Sequence, residues 1–157
     1  MESLTKWDYA HMDAAHVYAN LSHGRRAKVG CVIVKDNRII SIGYNGMPSG
    51  WDNNCENEDW PFWAKNEKEI DPIYVKLKTK PEVLHAETNA IAKVARSGES
   101  SEGSSLYVTM APCLDCAKLI HQSGISRVFY NNTYHKGDAG ISFLEKCGIE
   151  VIHVPDR

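Results

Sequence analysis

The sequence predicts an α/β sandwich, with helices packed around a single sheet. Two observations predict it. From residue 105 to residue 154, β-rich and helix-patterned segments alternate as strand–helix–strand–helix–strand, the order that lays helices over one sheet. Ahead of them stand an amphipathic run and then two β-rich runs separated by a polar pair, which read as a helix and a hairpin. The chain's 157 residues fit one domain, 1–157, and leave little room for two.

Residues 4–21 place Leu4, Trp7, Ala10, Met12, Ala14, Ala15, Val17, Tyr18 and Leu21 at mostly helical spacing, so an amphipathic helix opens the chain. In KVGCVIVKDNRIISIGYNG the two β-rich runs turn about Asp36-Asn37, a polar two-residue break of the hairpin kind. The stretch from 47 to 82 is polar, broken by prolines and holds Trp51, Trp60 and Trp63; it reads as a loop-rich insertion with one short helix. Residues 86–96 read as a helix and SGESSEGSS as a loop. SLYVTM follows as a strand, 114–122 as a helix, SRVFY as a strand, 139–147 as a helix and IEVIHV as a strand.

Composition narrows the function classes. Hydrophobic residues at 43% and charged residues at 24% are ordinary for a soluble globular chain. A formal charge of −2 supplies no overall basic field, so nucleic acid is not an expected partner. No apolar run approaches the roughly 18–20 residues a membrane span needs, and the N-terminus lacks a basic-then-apolar leader. The expected compartment is the cytoplasm. The five cysteines are odd in number and scattered, which favours metal ligation or burial over a disulfide framework.

The chemistry rests on HAETNAI (85–91) and APCLDCAKLI (111–120). Cys113 and Cys116 form C-x-x-C beside Pro112, where a helix start would put both thiols within one turn and favour thiolates. C-x-x-C alone also suits a redox pair or half of a zinc ribbon. His85 precedes the earlier helix as Cys113 precedes the later one. Three ligands, His85, Cys113 and Cys116, would leave a fourth zinc position open for water, as catalytic sites do. Glu87, two residues on, would reach that water without being a ligand and move its proton. Singly, each of these residues is more often a cap or a core filler. Together, H-x-E and P-C-x-x-C match the signature of zinc-dependent nucleobase deaminases.

On KVGCVIV, IGYNGMPSG, HAETNAI, YVTMAPCLDCAKLI and SGISRVFY, from about residue 28 to 135, the chain resembles the deoxycytidylate (dCMP) deaminase branch of the cytidine deaminase superfamily. The resemblance implies a three-layer α/β/α sandwich around a five-stranded mixed sheet. It implies catalytic zinc on His85, Cys113 and Cys116, with Glu87 as proton shuttle while water attacks cytosine C4. The product dUMP would feed thymidylate synthesis. It also implies a homohexamer, activated by dCTP with Mg2+ and inhibited by dTTP. Some relatives bind a second, structural zinc; here Cys55 has no near cysteine partner, and His11, His16, His23 and Cys31 lie elsewhere, so none is expected.

For substrate contacts, Asn45 suits a sugar hydroxyl, though Asn-Gly also forms turns. Arg26 and Lys28 offer cations to a phosphate, against a solvated-surface role. Tyr134 is placed to stack or hydrogen-bond, with His135 a weaker candidate, and Ala86 is counted with the substrate contacts. The GYNGMPSG loop, with Gly43, Tyr44, Gly46 and Met47, and with Lys28 beside it, is an alternative effector site. Two rival readings remain open at this point: a deaminase of dCTP, another base or a polynucleotide, and a zinc-stabilised binding module without turnover.

Overall fold

β1 (Gly30–Lys35) shows why the layers form as they do. Successive side chains of a strand point to opposite faces, and here Cys31 and Ile33 enter one apolar cluster while Val32 and Val34 enter another. Both faces are therefore covered. The computed structural model describes residues 3–64, 66 and 70–157; Met1, Glu2, Lys65 and Glu67, Lys68 and Glu69 lie outside the described residues, the last four within the expected insertion.

α1 (Lys6–Ala19) covers one face with Met12 and Ala15, against Val32, Val34, Tyr107 and Phe129. It starts later than the apolar pattern because Thr5 and Asp8 form a capping box: the Asp8 N–H donates to the Thr5 hydroxyl at 3.3 Å and the Thr5 N–H donates to the Asp8 carboxylate at 2.7 Å. β1 turns into β2 (Arg38–Tyr44) through Asp36 and Asn37, whose φ values of 51° and 59° are those a tight type I′ hairpin turn demands.

α2 (Ala86–Ala95), β5 (Ser105–Met110), α3 (Leu114–Gln122), β6 (Arg127–Asn132), α4 (Ala139–Lys146) and β7 (Glu150–His153) then alternate as expected. The main sheet runs β2-β1-β5-β6-β7, antiparallel from β2 to β5 and parallel from β5 to β7. It is the five-stranded mixed sheet of the expected three-layer sandwich. Residues of α2, α3 and α4, among them Ala90, Ile91, Ile120 and Leu144, share the second cluster with Leu106, Val108 and Val128. α2 lies close enough on β2 that a Cβ at Gly43 would run into the Ala86 carbonyl oxygen and stand 2.7 Å from the Ala90 nitrogen. Among the described residues no helix is long and apolar enough to cross a membrane.

Within the insertion's loops stands a hairpin that the polar sequence did not announce. β3 (Glu56–Asp59) and β4 (Lys76–Thr79) pair antiparallel as a separate two-stranded sheet, with Glu56 opposite Thr79. The one short helix is a single 3-10 turn at Pro72–Tyr74, started by the Asp71 side chain. Glu-Asn-Glu-Asp and Lys-Leu-Lys-Thr give no apolar alternation because the hairpin has no core of its own to bury against. Of the insertion's tryptophans, Trp51 and Trp63 are exposed, Trp63 meeting the Tyr74 ring edge-on at 5.4 Å.

Candidate active site

The starts of α2 and α3 converge at the end of the sheet where β5 and β6 finish. His85 and Cys113 each occupy the last extended residue before a helix (φ −78°, ψ 155° and φ −69°, ψ 169°), and Cys116 sits in the first turn of α3. The Cys116 N–H donates to the Cys113 sulfur at 3.5 Å, which fixes that sulfur over the helix start. His85 Nδ1 stands 3.3 Å from Cys116 Sγ and 3.6 Å from Cys113 Sγ. Such separations are those a tetrahedral zinc imposes with bonds of about 2.3 Å to sulfur and about 2.0 Å to nitrogen, so the three donors fit that ion. Among the described residues this is the one group of three or more His, Cys, Asp or Glu side chains close enough to share a metal.

The electrostatics agree with that fit. A hydrogen bond from the Cys116 thiol, with another from His85, lowers the Cys113 thiol to about 4. Cys116 is pushed up by its hydrogen bond to Cys113 and by burial, and His85 is raised by its hydrogen bond to Cys113. The trio thus shares protons around one thiolate, and a dication binding there displaces them. Glu87 is 4% exposed, and burial pushes its carboxyl above the ordinary carboxylate range.

These groups open into a pocket of about 170 Å³, below the 300–1,000 Å³ of clefts that take drug-sized ligands and suited to one flat ring. His85, Ala86, Glu87 and Cys113 line it together with Asn45, Tyr134, His135 and two cations, Arg26 and Lys136. Tyr134 and His135 meet edge-to-face with centroids 4.8 Å apart. Asn45 does more than border the pocket: its Oδ1 accepts the Val29 N–H at 2.8 Å and its Nδ2 donates to the Ala27 carbonyl at 3.0 Å, tying segment 27–29 to the end of β2.

The other expected residues divide. Lys28 is exposed and does not line this pocket. Gly43 lies under α2 as a packing position and lines neither this pocket nor the next. Tyr44, Gly46 and Met47 border a separate cavity of about 540 Å³, whose other wall carries Lys93 of α2 and Arg96 just past its end. Cys31 is in the core; Cys147 caps the end of α4 half-buried. Lys136 escaped the sequence reading because nothing in YHKGD separates one lysine from a solvated turn. A basin of about 530 Å³ at the opposite end of the sheet, bordered by Trp7, His11, Asn37 and Arg127, holds none of the candidate residues.

An α/β/α sandwich whose helix starts present three nitrogen and sulfur ligands beside a buried acid, at the floor of a ring-sized pocket, has the makings of a metal-dependent hydrolase. Residues 5–132 match the family model described as the cytidine and deoxycytidylate deaminase zinc-binding region. The chain belongs to that family. It is 40% identical to the deoxycytidylate deaminase of Enterobacteria phage T4, over 83% of this chain and 80% of that one. With the deoxycytidylate deaminase of Homo sapiens the identity is 35%, over 94% and 85%. Among solved structures, the dCMP deaminase of cyanophage S-TIM5, crystallised with dCMP and dUMP, matches with a TM-score of 0.80 and 37% identity, covering 98% of this chain and 100% of that one.

Proposed function

We propose that the protein is a zinc-dependent deaminase of dCMP, acting as one domain in the cytoplasm and releasing ammonia and dUMP for thymidylate synthesis. The observation that carries this reading is the content of one pocket: His85 and Cys113 of the metal-ligand trio line it with Glu87, Arg26 and Lys136, so groups for base chemistry and cations for a phosphate share one opening. The likeness to deoxycytidylate deaminases of phage and animal origin supports the same substrate.

His85, Cys113 and Cys116 would hold the ion, and zinc so held supplies a water acidic enough to lose its proton near neutral pH. Glu87 would take one proton from the attacking water and hand it to the ring N3 as the water oxygen bonds to C4. It would then take the second proton from the new C4 hydroxyl and give it to the amino group as the C4–N bond breaks and C4=O forms, so cytosine and water become uracil and ammonia. Burial raises the Glu87 carboxyl, which favours the proton uptake this role requires. Ala86 opens α2, where a backbone N–H has no intrahelical acceptor and serves the pyrimidine carbonyl. The second hydrogen of the Asn45 amide serves a sugar hydroxyl, Tyr134 closes over the nucleotide, and Arg26 meets the phosphate.

Regulation by dCTP with magnesium and by dTTP, within a homohexamer, completes the reading. The cavity between Tyr44–Met47 and α2 supports it, since Lys93 and Arg96 supply cations for a nucleotide triphosphate. The test is ammonia release from the zinc-assayed protein on dCMP, dCTP, cytidine and deoxycytidine, with and without dCTP–magnesium or dTTP. Turnover of dCMP well above the others is the expected result. Zinc-loaded protein inert on all four refutes the proposal.

A further inference from the structure

We infer that Glu56 and Thr79, the facing pair of the insertion hairpin, are positioning residues that hold Arg26 for the 5′-phosphate and so set the preference for a nucleotide over a nucleoside. The inference rests on the phosphate role of Arg26 proposed above. Directly opposed residues of an antiparallel pair project from the same face, and Glu56 and Thr79 are so opposed. Each grips a different part of the same arginine segment. The Glu56 Oε1 accepts the backbone N–H of Arg25 at 2.8 Å and of Arg26 at 3.1 Å. The Thr79 hydroxyl accepts from Arg26 Nη1 at 3.2 Å.

Glu56 is not a surface charge. It is 2% exposed, and among the described residues its second oxygen has no hydrogen-bond partner, the Arg25 Nε standing 3.5 Å away. A carboxylate taken out of water in this way is costly unless its bonds fix something of use. What it fixes is a stretch of irregular backbone that lies outside every strand and helix. Residues 25–26 are pinned from the insertion by Glu56, and residues 27–29 are pinned from β2 by Asn45. Arg25 turns away from the pocket to Glu58 and Asn54, while Arg26 and Thr79 line it together. The hairpin therefore sorts two adjacent arginines, one to a structural ion pair and one to the substrate.

The experiment compares Arg26→Ala, Thr79→Val, Glu56→Gln, Glu56→Ala and Arg26→Ala/Glu56→Ala in zinc-loaded full-length protein, with kcat and KM measured on dCMP. Arg26→Ala is expected to lose about 10- to 100-fold in kcat/KM, the scale of a hydrogen bond to a charged group. Thr79→Val and Glu56→Ala are expected to raise KM about 3- to 10-fold with kcat unchanged, the scale of coupled neighbours. Glu56→Gln, which keeps an acceptor for both N–H groups, is expected to recover most of that loss. In the Arg26→Ala background the Glu56→Ala change is expected to cost nothing more. If Arg26→Ala leaves KM unaltered, the phosphate role of Arg26 fails. If Arg26→Ala is impaired while Thr79→Val and Glu56→Gln match the parent and the Glu56→Ala loss multiplies with that of Arg26→Ala, Glu56 is merely structural and the inference is overturned. Should Glu56→Ala not fold, Thr79→Val alone decides, a parental KM overturning the inference.

Discussion

Replacing Gly43 with alanine sets a methyl group against the backbone of the helix that carries His85 and Glu87. The added Cβ would meet the Ala86 carbonyl oxygen and lie 2.7 Å from the Ala90 nitrogen, where ordinary contact begins at 3.4 Å. α2 would have to retreat by about 0.7 Å at Ala90, and further at Ala86, because backbone atoms cannot rotate aside as a side chain can. Overpacking of this size costs about 2 kcal/mol. For a chain of this length that is a Tm loss of about 4–8 °C. The same retreat moves Glu87 away from its reacting partners, and misplacement approaching 1 Å costs about 100-fold in turnover. The assay pairs thermal unfolding with kcat on dCMP at measured zinc content. Gly46→Ala is the control, since a Cβ there meets nothing within 4 Å. A Gly43→Ala protein with parental Tm and kcat would refute the claim that β2 sets the seat of α2.

Glu87→Gln is expected to keep its zinc and lose at least about 100-fold in turnover, and a zinc-loaded variant that still releases ammonia at the parental rate removes Glu87 from proton transfer. Cys113→Ala is expected to lose metal and stability together; zinc content by atomic absorption and thermal unfolding with and without chelator check it. Burial alone would raise the Asp8 carboxyl, but hydrogen bonds from the Thr5 backbone, the Tyr107 hydroxyl and the Thr5 hydroxyl together hold it below its ordinary value of 3.8. A depressed carboxylate contributes stability above its unfolded value that is lost as pH falls through the folded one. Tyr107→Phe is therefore expected to cost about 1–3 kcal/mol at pH 7, shrinking below about pH 4 in urea titrations. A pH-independent penalty would show that only packing was lost. Arg96→Ala is expected to weaken the response to added dCTP–magnesium, and undiminished activation would place the effector elsewhere.

The residues legible in the sequence are those whose spacing is also their geometry. Cys113 and Cys116 fall within one helical turn because Pro112 marks its start, and His85 and Glu87 read as ligand and acid because a helix begins between them. The sheet core was legible for a similar reason, since β1 and β5 are apolar on both faces. Glu56 and Thr79 were not. They lie 23 residues apart in polar strands that have no buried face to write an alternation, and they meet only through hairpin register. Asn45 stood out beside a glycine, but its hold on Ala27 and Val29 was hidden, because segment 27–29 has to fold back beside β2 before its carbonyl and N–H need partners. Gly43 looked like part of a nucleotide loop since it adjoins Tyr44-Asn45-Gly46, whereas its missing side chain answers to a helix over 40 residues later.

The candidate site stands at one end of the sheet. β5 and β6 finish, and α2 and α3 begin, beside the metal ligands, while the Asp36–Asn37 turn and the exposed loop of residues 97–100 lie at the opposite end. Exposed loop tips tolerate inserted sequence well. A peptide tag grafted between Gly98 and Glu99 would tether the protein to a bead or electrode with its pocket turned toward the solution, giving an immobilised reagent whose orientation is set by the fold.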